Sequence, residues 1–351
     1  MTAASPVMVT GATGFVAGWI IRRLLEEGRM VHAAVRDPAN KAKLSHLEKL
    51  GESLPGSIRF FAADLLNEGS YAEAMEGCEV VFHTASPFTL NVEDPQRDLL
   101  DPALLGTRNV LGQACVTPSV RRVVVTSSYT AAIGDNADLV DLGKPMVTEE
   151  DWNTTSSLKH QPYAYSKTMA EKEAWRIAAS QTQWTLVTIN PAFVMGPYLK
   201  ENPTTESFQF MKKCADGTFE SGIPNIGMTI VDVRDVAEAH LAAARTPEAQ
   251  GRYLVSAGES NLPEFVEILR KRFGNGFRFP RRTLPKWVVW VFGPIADKLL
   301  ERKVVARNVG HRVRLDNSRS LKDLSISYRP ISETLIEMFQ QMIDDGVIVS
   351  R

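Results

Sequence analysis

Tyr163 and Lys167 stand four residues apart in Tyr163-Ala164-Tyr165-Ser166-Lys167, inside a segment of helical character. Residues i and i+4 share one helix face, so the phenol and the ammonium project to the same side. A cation beside a phenol favours the phenolate and draws its pKa down from about 10. Tyr163 then suits proton donation or acceptance near neutral pH. Thr126-Ser127-Ser128 offers a second group. A serine hydroxyl at a strand end can donate to a substrate oxygen. Ser128 is the expected donor, with Ser127 the alternative if the register differs by one. A surface pair and ordinary turn residues are the plainer readings, so the weight of both patterns rests on the frame around them.

That frame begins with Val7-Met8-Val9-Thr10, a short buried strand, followed by Gly11-Ala12-Thr13-Gly14 and a helix from Phe15 to about Glu27. Met30 to Val35 is the next strand. Strand, glycine turn, helix and strand form a βαβ unit in which Gly11 permits the tight turn and Gly14 lets backbone approach a pyrophosphate at the helix start. The spacing is G-x-x-G-x-x-A, and the small Ala17 still lets the helix pack closely on the sheet. A dinucleotide is the expected ligand. Arg36-Asp37-Pro38 ends the second strand. An acid near here would hold the ribose 2′-hydroxyl of NAD, whereas Arg suits the 2′-phosphate of NADP. Arg36 comes directly off the strand, with Lys41 and Lys43 close behind, so NADP is favoured; solvated surface charges are the plainer reading of Arg36 and Lys43.

Further strands are expected at Ile58 to Ala63, Glu79 to Thr84, Arg121 to Thr126 and Thr185 to Ile189, with a helix from about Leu99 to Ala114 between them. Alternation of this kind predicts an α/β doubly wound parallel sheet with ligands at the C-terminal strand ends. Asp64 sits at such an end and would either accept from an adenine amino group or cap the next helix. Asn109, mid-helix, must find partners and is either structural or a support for Lys167 through water. After Pro197 the alternation breaks. Thr229 to Val233 and Arg252 to Ala257 read as strands returning to the main fold, and Pro263 to Phe273 as a helix with proline in its first turn. The expected division is a nucleotide-binding unit over 1–193 and 228–257, and a smaller substrate lobe over 194–227 and 258–351.

Composition adds bounds. The 351 residues are 44% hydrophobic and 23% charged, ordinary for a globular chain. Lys plus Arg number 40 against 41 Asp plus Glu, a balance that gives no electrostatic case for nucleic acid or an anionic membrane. Residues from about Phe277 to Val313 are rich in Arg and Lys, read as solvated helix faces. Cys78, Cys115 and Cys214 are odd in number and lack a C-x-x-C pair, so neither a disulfide framework nor a metal site is expected. A reducing cytoplasm fits this, and no signal pattern opens the chain. Trp287 to Phe292 is too short to span a bilayer. It reads as a core or lobe helix, with a membrane-surface helix as the alternative.

Taken in order, Thr10 to Ala17, Arg36-Asp37-Pro38, Asp64-Leu65, Thr126-Ser127-Ser128 and Tyr163-x-x-x-Lys167 resemble the extended short-chain dehydrogenase/reductase family. Asn190 to Pro197 and Val231 to Ala237 match it as well. Within it, Val35 to Pro38, Ser166 to Lys172 and Glu150-Asp151-Trp152 look most like the dihydroflavonol reductase and cinnamoyl-CoA reductase group, which includes yeast-type methylglyoxal reductases. The resemblance implies NADPH-dependent reduction of an aldehyde or ketone by a monomer or homodimer. Tyr163 would protonate the alkoxide, Lys167 would hold the nicotinamide ribose, and Ser128 would orient the carbonyl oxygen. Cofactor contacts would come from Thr10, Gly11, Thr13, Gly14, Phe15, Val16, Arg36, Lys43, Asp64, Leu65, Thr84, Ala85, Ser86, Pro191, Phe193 and Val194, besides Tyr163 and Lys167. Phe88, Tyr129, Phe193, Tyr198 and Ile226 are the expected substrate contacts. Tyr129 after the serines and Tyr165 inside the motif depart from the group's pattern and add bulk. Rival readings are a nucleotide-sugar epimerase or dehydratase that retains NAD, a hydroxysteroid dehydrogenase/isomerase, and a non-catalytic NADP sensor.

Overall fold

The computed structural model describes residues 5–85, 92–200, 203, 205–296 and 300–350. The first six strands are β1 (Val7–Thr10), β2 (Met30–Val35), β3 (Ser57–Ala62), β4 (Val80–His83), β5 (Arg122–Thr126) and β6 (Thr185–Pro191). Then come β7 (Phe193–Met195), β8 (Ile223–Pro224), β9 (Gly227–Asp232), β10 (Gly251–Val255), β11 (Gly258–Asn261) and β12 (Thr283–Leu284). Seven of them form one parallel sheet in the order β10-β6-β5-β4-β1-β2-β3. The doubly wound sheet expected from the alternating pattern is the one observed.

The interior strands are continuous apolar runs because both faces are covered. Val9, Phe82 and Val124 point to one side and meet Ile20, Leu24, Leu44, Val236 and Leu241. Met8, Val81 and Val123 point to the other and meet Val110, Leu111, Ala174 and Ile177. The covering helices are α1 (Phe15–Glu26), α2 (Lys41–Ser53), α3 (Ala72–Met75), α4 (Asp101–Val116), the short α5 (Asp138–Asp141) and α6 (Pro162–Ala179). Helices α7 (Glu206–Ala215), α8 (Val233–Arg245) and α9 (Leu262–Phe273) come next. The last are α10 (Lys286–Ala296), α11 (Arg302–Asn308), α12 (Ser318–Asp323) and α13 (Ile331–Asp344). A third core joins Phe208 and Met211 of α7, Phe265 and Leu269 of α9, and Phe339 and Met342 of α13.

Two expectations are sharpened by the structure. The strand at 227–232 returns to the main core through Val231 but does not join the main sheet. The edge beside β6 is taken by β10, with Gly251 opposite Val187, so β9 pairs instead with β7 and β11. The Trp287–Phe292 run forms the helix expected there, in its lobe rather than its core reading. It lies in α10, where Val289 and Gly293 are buried while Trp287, Trp290, Val291 and Phe292 are exposed.

Candidate active site

The site lies where the sheet order reverses, between β1 and β4. At such a switch point the loops leave in opposite directions and open a crevice at the C-terminal strand ends. Thr10 closes β1 and ties it to its neighbour: its Oγ1 accepts from the Thr84 and Ala85 amides at 3.2 and 3.0 Å, and Thr84 Oγ1 donates to its carbonyl. Gly11 follows with φ +61°, and a Cβ there would stand 2.9 Å from the Ala85 Cα, so only glycine fits. Gly14, at the start of α1, provides no side-chain cap. The first amides of α1 thus open toward the turn with Phe15 and Val16 half-buried beside them, a setting that fits a pyrophosphate. Thr13 is also half-buried in this turn.

At the end of β2, Arg36 and Lys43 are both exposed. Asp37 is engaged in its own turn, where Oδ1 accepts from the Ala39 amide at 2.9 Å. The acid that argued for NAD is therefore used locally, while the cations remain available for a phosphate. Asp64 likewise accepts locally, from the Leu66 amide at 2.8 Å, which is its turn-capping role. Asn109 takes the structural of its two readings. Its Nδ2 donates to the Asn67 carbonyl at 2.6 Å and its Oδ1 accepts from the Gly69 amide, pinning the loop after β3 onto α4.

Helix α6 carries the tyrosine and lysine. Pro162 fills its first turn, and Gln161 before it takes φ +54°. The entry is held by His160, whose Nε2 lies 2.6 Å from Asp135, and Asp135 also accepts from Arg307 and Asn308 of α11 at 2.9 and 2.8 Å. Lys167 is buried at 8% exposure, with Nζ 5.9 Å from the Tyr163 ring centre. Burial lowers the Lys167 pKa to about 8, against the pull of the Glu171 carboxylate. Burial also pushes the Tyr163 phenol upward, and Glu206 and Tyr129 add to the shift. Solvent reaching a ring that is 38% exposed limits that rise. This differs from the lowered phenol expected from the spacing, because desolvation outweighs a cation at this distance.

The two serines separate clearly. Ser127 Oγ donates to the buried Glu171 carboxylate and is committed there. Ser128 Oγ accepts from the Thr130 amide at 3.2 Å and from Thr130 Oγ1 at 2.9 Å, which leaves its own proton to donate. Glu171 is the hub beneath both. It also accepts from Asn190 Nδ2 at 2.6 Å and Thr188 Oγ1 at 3.2 Å, and pairs with Arg252 of β10 at 2.6 Å. Asn190 reaches on to the Ser128 carbonyl at 3.1 Å. This hub, which links α6 to β5, β6 and β10, was not picked out from the sequence. A glutamate and an arginine 81 positions apart carry no local signal of pairing.

A small cavity lined by Leu65, His83, Ala85, Ser127, Lys167 and Glu171, among others, joins the lysine to the strand end that abuts Gly11. Pro191 is buried at the end of β6, with Phe193 and Val194 half-buried just beyond it. Of the expected substrate contacts, Tyr129 is half-buried in the turn after β5 and packs against the main core. Tyr198 does not belong to the pocket. Its ring packs edge-on against Phe208 in the lobe core and its hydroxyl donates to Asp345 at 2.6 Å. Ile226 instead packs with Val289, Val305 and Val309 under α10 and α11. Ser86 and Phe88 lie outside the described residues. Among the described residues there is no cluster of metal-ligating side chains.

A strand-turn-helix cradle and a Tyr-x-x-x-Lys helix on a doubly wound sheet define a class, and the chain falls within it. The NAD dependent epimerase/dehydratase family model matches residues 7–256, and the chain belongs to that family. Over 275 residues it is 40% identical to cinnamoyl-CoA reductase CAD2 of Medicago truncatula, covering 76% of this chain and 80% of that one. It is 39% identical to tetraketide alpha-pyrone reductase 1 of Arabidopsis thaliana, covering 80% and 83% of the two. Among solved structures, Gre2 of Candida albicans in complex with NADPH aligns with TM-score 0.77 at 28% identity, over 97% of this chain and 99% of that one.

Proposed function

We propose that this chain is an NADPH-dependent reductase that converts an aldehyde or ketone to the alcohol. Membership of the family, its relatives among named reductases and the NADPH complex of Gre2 support an oxidoreductase acting on carbonyl or CH–OH groups with NADP(H). The observation that supports the reading most directly is that the buried Lys167 of α6 lines one small cavity with Ala85, the residue against which Gly11 packs. The cradle fits the group: Gly11 leaves no room for a side chain, α1 starts uncapped, and Arg36 and Lys43 stand exposed where a 2′-phosphate would lie.

NADPH, when bound, supplies the hydride for the carbonyl carbon. Ser128 donates its free proton in a hydrogen bond to the carbonyl oxygen and orients it. Tyr163 gives its proton to that oxygen as negative charge develops. A phenol kept protonated by burial is ready for this donation in the reductive direction. Lys167, still charged below about pH 8, stabilises the phenolate left behind and holds the nicotinamide ribose. Asp64 and Leu65 would border the adenine of the bound cofactor, and Pro191, Phe193 and Val194 would line its nicotinamide. Tyr129 and Phe193 shape the substrate side.

The test is NADPH oxidation read by absorbance over aromatic aldehydes, α-ketoesters, dicarbonyls and a flavanonol. Tyr163→Phe should lower turnover by roughly 10²–10⁴-fold with the unfolding temperature unchanged. Near-full turnover in that variant would remove Tyr163 from the mechanism.

A further inference from the structure

We propose that helix α10 docks this protein on an anionic lipid surface. Trp287, Trp290, Val291 and Ile295 stand at i, i+3, i+4 and i+8, so they share one side of the helix. They are 68, 41, 39 and 83% exposed, and Phe292 beside them is 56% exposed. The opposite side, Val289 and Gly293, is buried against α11. The helix is apolar nearly all round yet covered on one side alone. At about 1.5 Å per residue it is some 16 Å long, about half a bilayer's hydrocarbon thickness, so it can lie in the interface but not cross it.

Charge selects the occupant. Between residues 277 and 313 there are nine Lys or Arg against two Asp or Glu, in a chain whose formal net charge is −1. Arg281 and Arg282 lead into α10, Lys286 opens it, and Arg302 and Lys303 open α11; all five are exposed. Among the described residues none of the five has a carboxylate partner. Lys286 donates to the Ala306 carbonyl, and Arg302 stacks over Trp290 at 4.7 Å. A second copy of this chain, related by a two-fold axis, would press these cations against their own kind. A surface of anionic headgroups attracts them, while the tryptophans suit the headgroup boundary and the aliphatic groups the acyl chains.

The experiment is sedimentation of the intact protein with vesicles of phosphatidylcholine alone or mixed with phosphatidylserine, read by tryptophan emission and by the bound fraction. Binding to the mixed vesicles, weak binding to the neutral ones and release by salt are expected. Arg281→Gln, Arg282→Gln and Lys303→Gln together should weaken partitioning by roughly a hundredfold. Trp287→Ser should also weaken it. Carbonyl turnover in solution and the unfolding temperature should stay unchanged in both variants. Absence of binding to the mixed vesicles, equal binding to the neutral ones, or binding that survives the triple variant would overturn the proposal. So would a concentration-dependent dimer that Trp287→Ser dissociates, since the face would then belong to a second copy.

Discussion

At the residue scale, Ser127 and Ser128 differ in what their hydroxyls already hold. Ser128→Ala should lower kcat for carbonyl reduction and leave the unfolding midpoint nearly unchanged. Ser127→Ala should do the reverse, costing about 1–3 kcal/mol because Glu171 loses a buried donor. Paired kinetics and denaturant titrations check this, and a larger kcat loss in Ser127→Ala would exchange the two roles. The sequence left these neighbours ambiguous for a physical reason. Successive side chains at a strand end point to opposite sides, and which side meets the substrate depends on Glu171, 44 positions away. Cofactor choice was easier to read because Arg36 comes directly after its strand. Arg36→Ala should raise KM for NADPH and change that for NADH little; equal effects on both would detach Arg36 from the 2′-phosphate. Lys167 offers a pH test. With its pKa near 8, its charge is present below that value and lost above it. The alkaline limb of kcat/KM should therefore fall through about pH 8, and a profile flat to pH 10 would separate the rate from Lys167.

At the element scale, the αβ alternation was legible because buried parallel strands are unbroken apolar runs, and because a glycine turn marks the start of α1. The destination of a strand was less legible. A run such as Met228-Thr229-Ile230-Val231 shows that it is buried but not which edge it joins, and the edge of the main sheet belongs to the later β10. Helix α7 was hidden among glycines and prolines, although Thr205 caps it through the Phe208 amide. Tyr198 was misplaced because an aromatic in the lobe core looks the same in sequence as one at a pocket wall. The joint between helix and sheet yields a prediction. Glu171→Gln leaves Arg252 charged without its carboxylate in a site closed to solvent. Breaking one side of such a pair costs about 3–5 kcal/mol, whereas replacing both sides with neutral groups is far milder. Combining Glu171→Gln with Arg252→Met should recover most of the stability of the single variant. A double variant as unstable as the single one would show that the pair's charges are not what the joint requires.

For the whole molecule, buried histidines tie stability to acidity. Burial holds His83 near 3 and His240 near 4, below the ordinary 6.5. Between pH 6.5 and those values the unfolded chain takes up protons that the folded one refuses, so stability falls as pH falls. Each histidine contributes a slope approaching about 1.4 kcal/mol per pH unit. Glu149 and Asp235, whose carboxyls burial raises, oppose this lower in the range. Denaturant midpoints at pH 7 and pH 5 measure the balance; His240→Gln should flatten the slope, and stability that rises on acidification would contradict it. The sheet order has a further consequence, for synthesis. A nascent chain that has emerged through β6 holds six neighbouring strands, but the strand that closes their edge is encoded roughly 60 residues later. At about 5–20 residues per second, β6 presents unpaired amides and carbonyls to the crowded cell for seconds. Fragments ending before residue 251 keep that edge open, so they are the forms for which holdase chaperones would matter most.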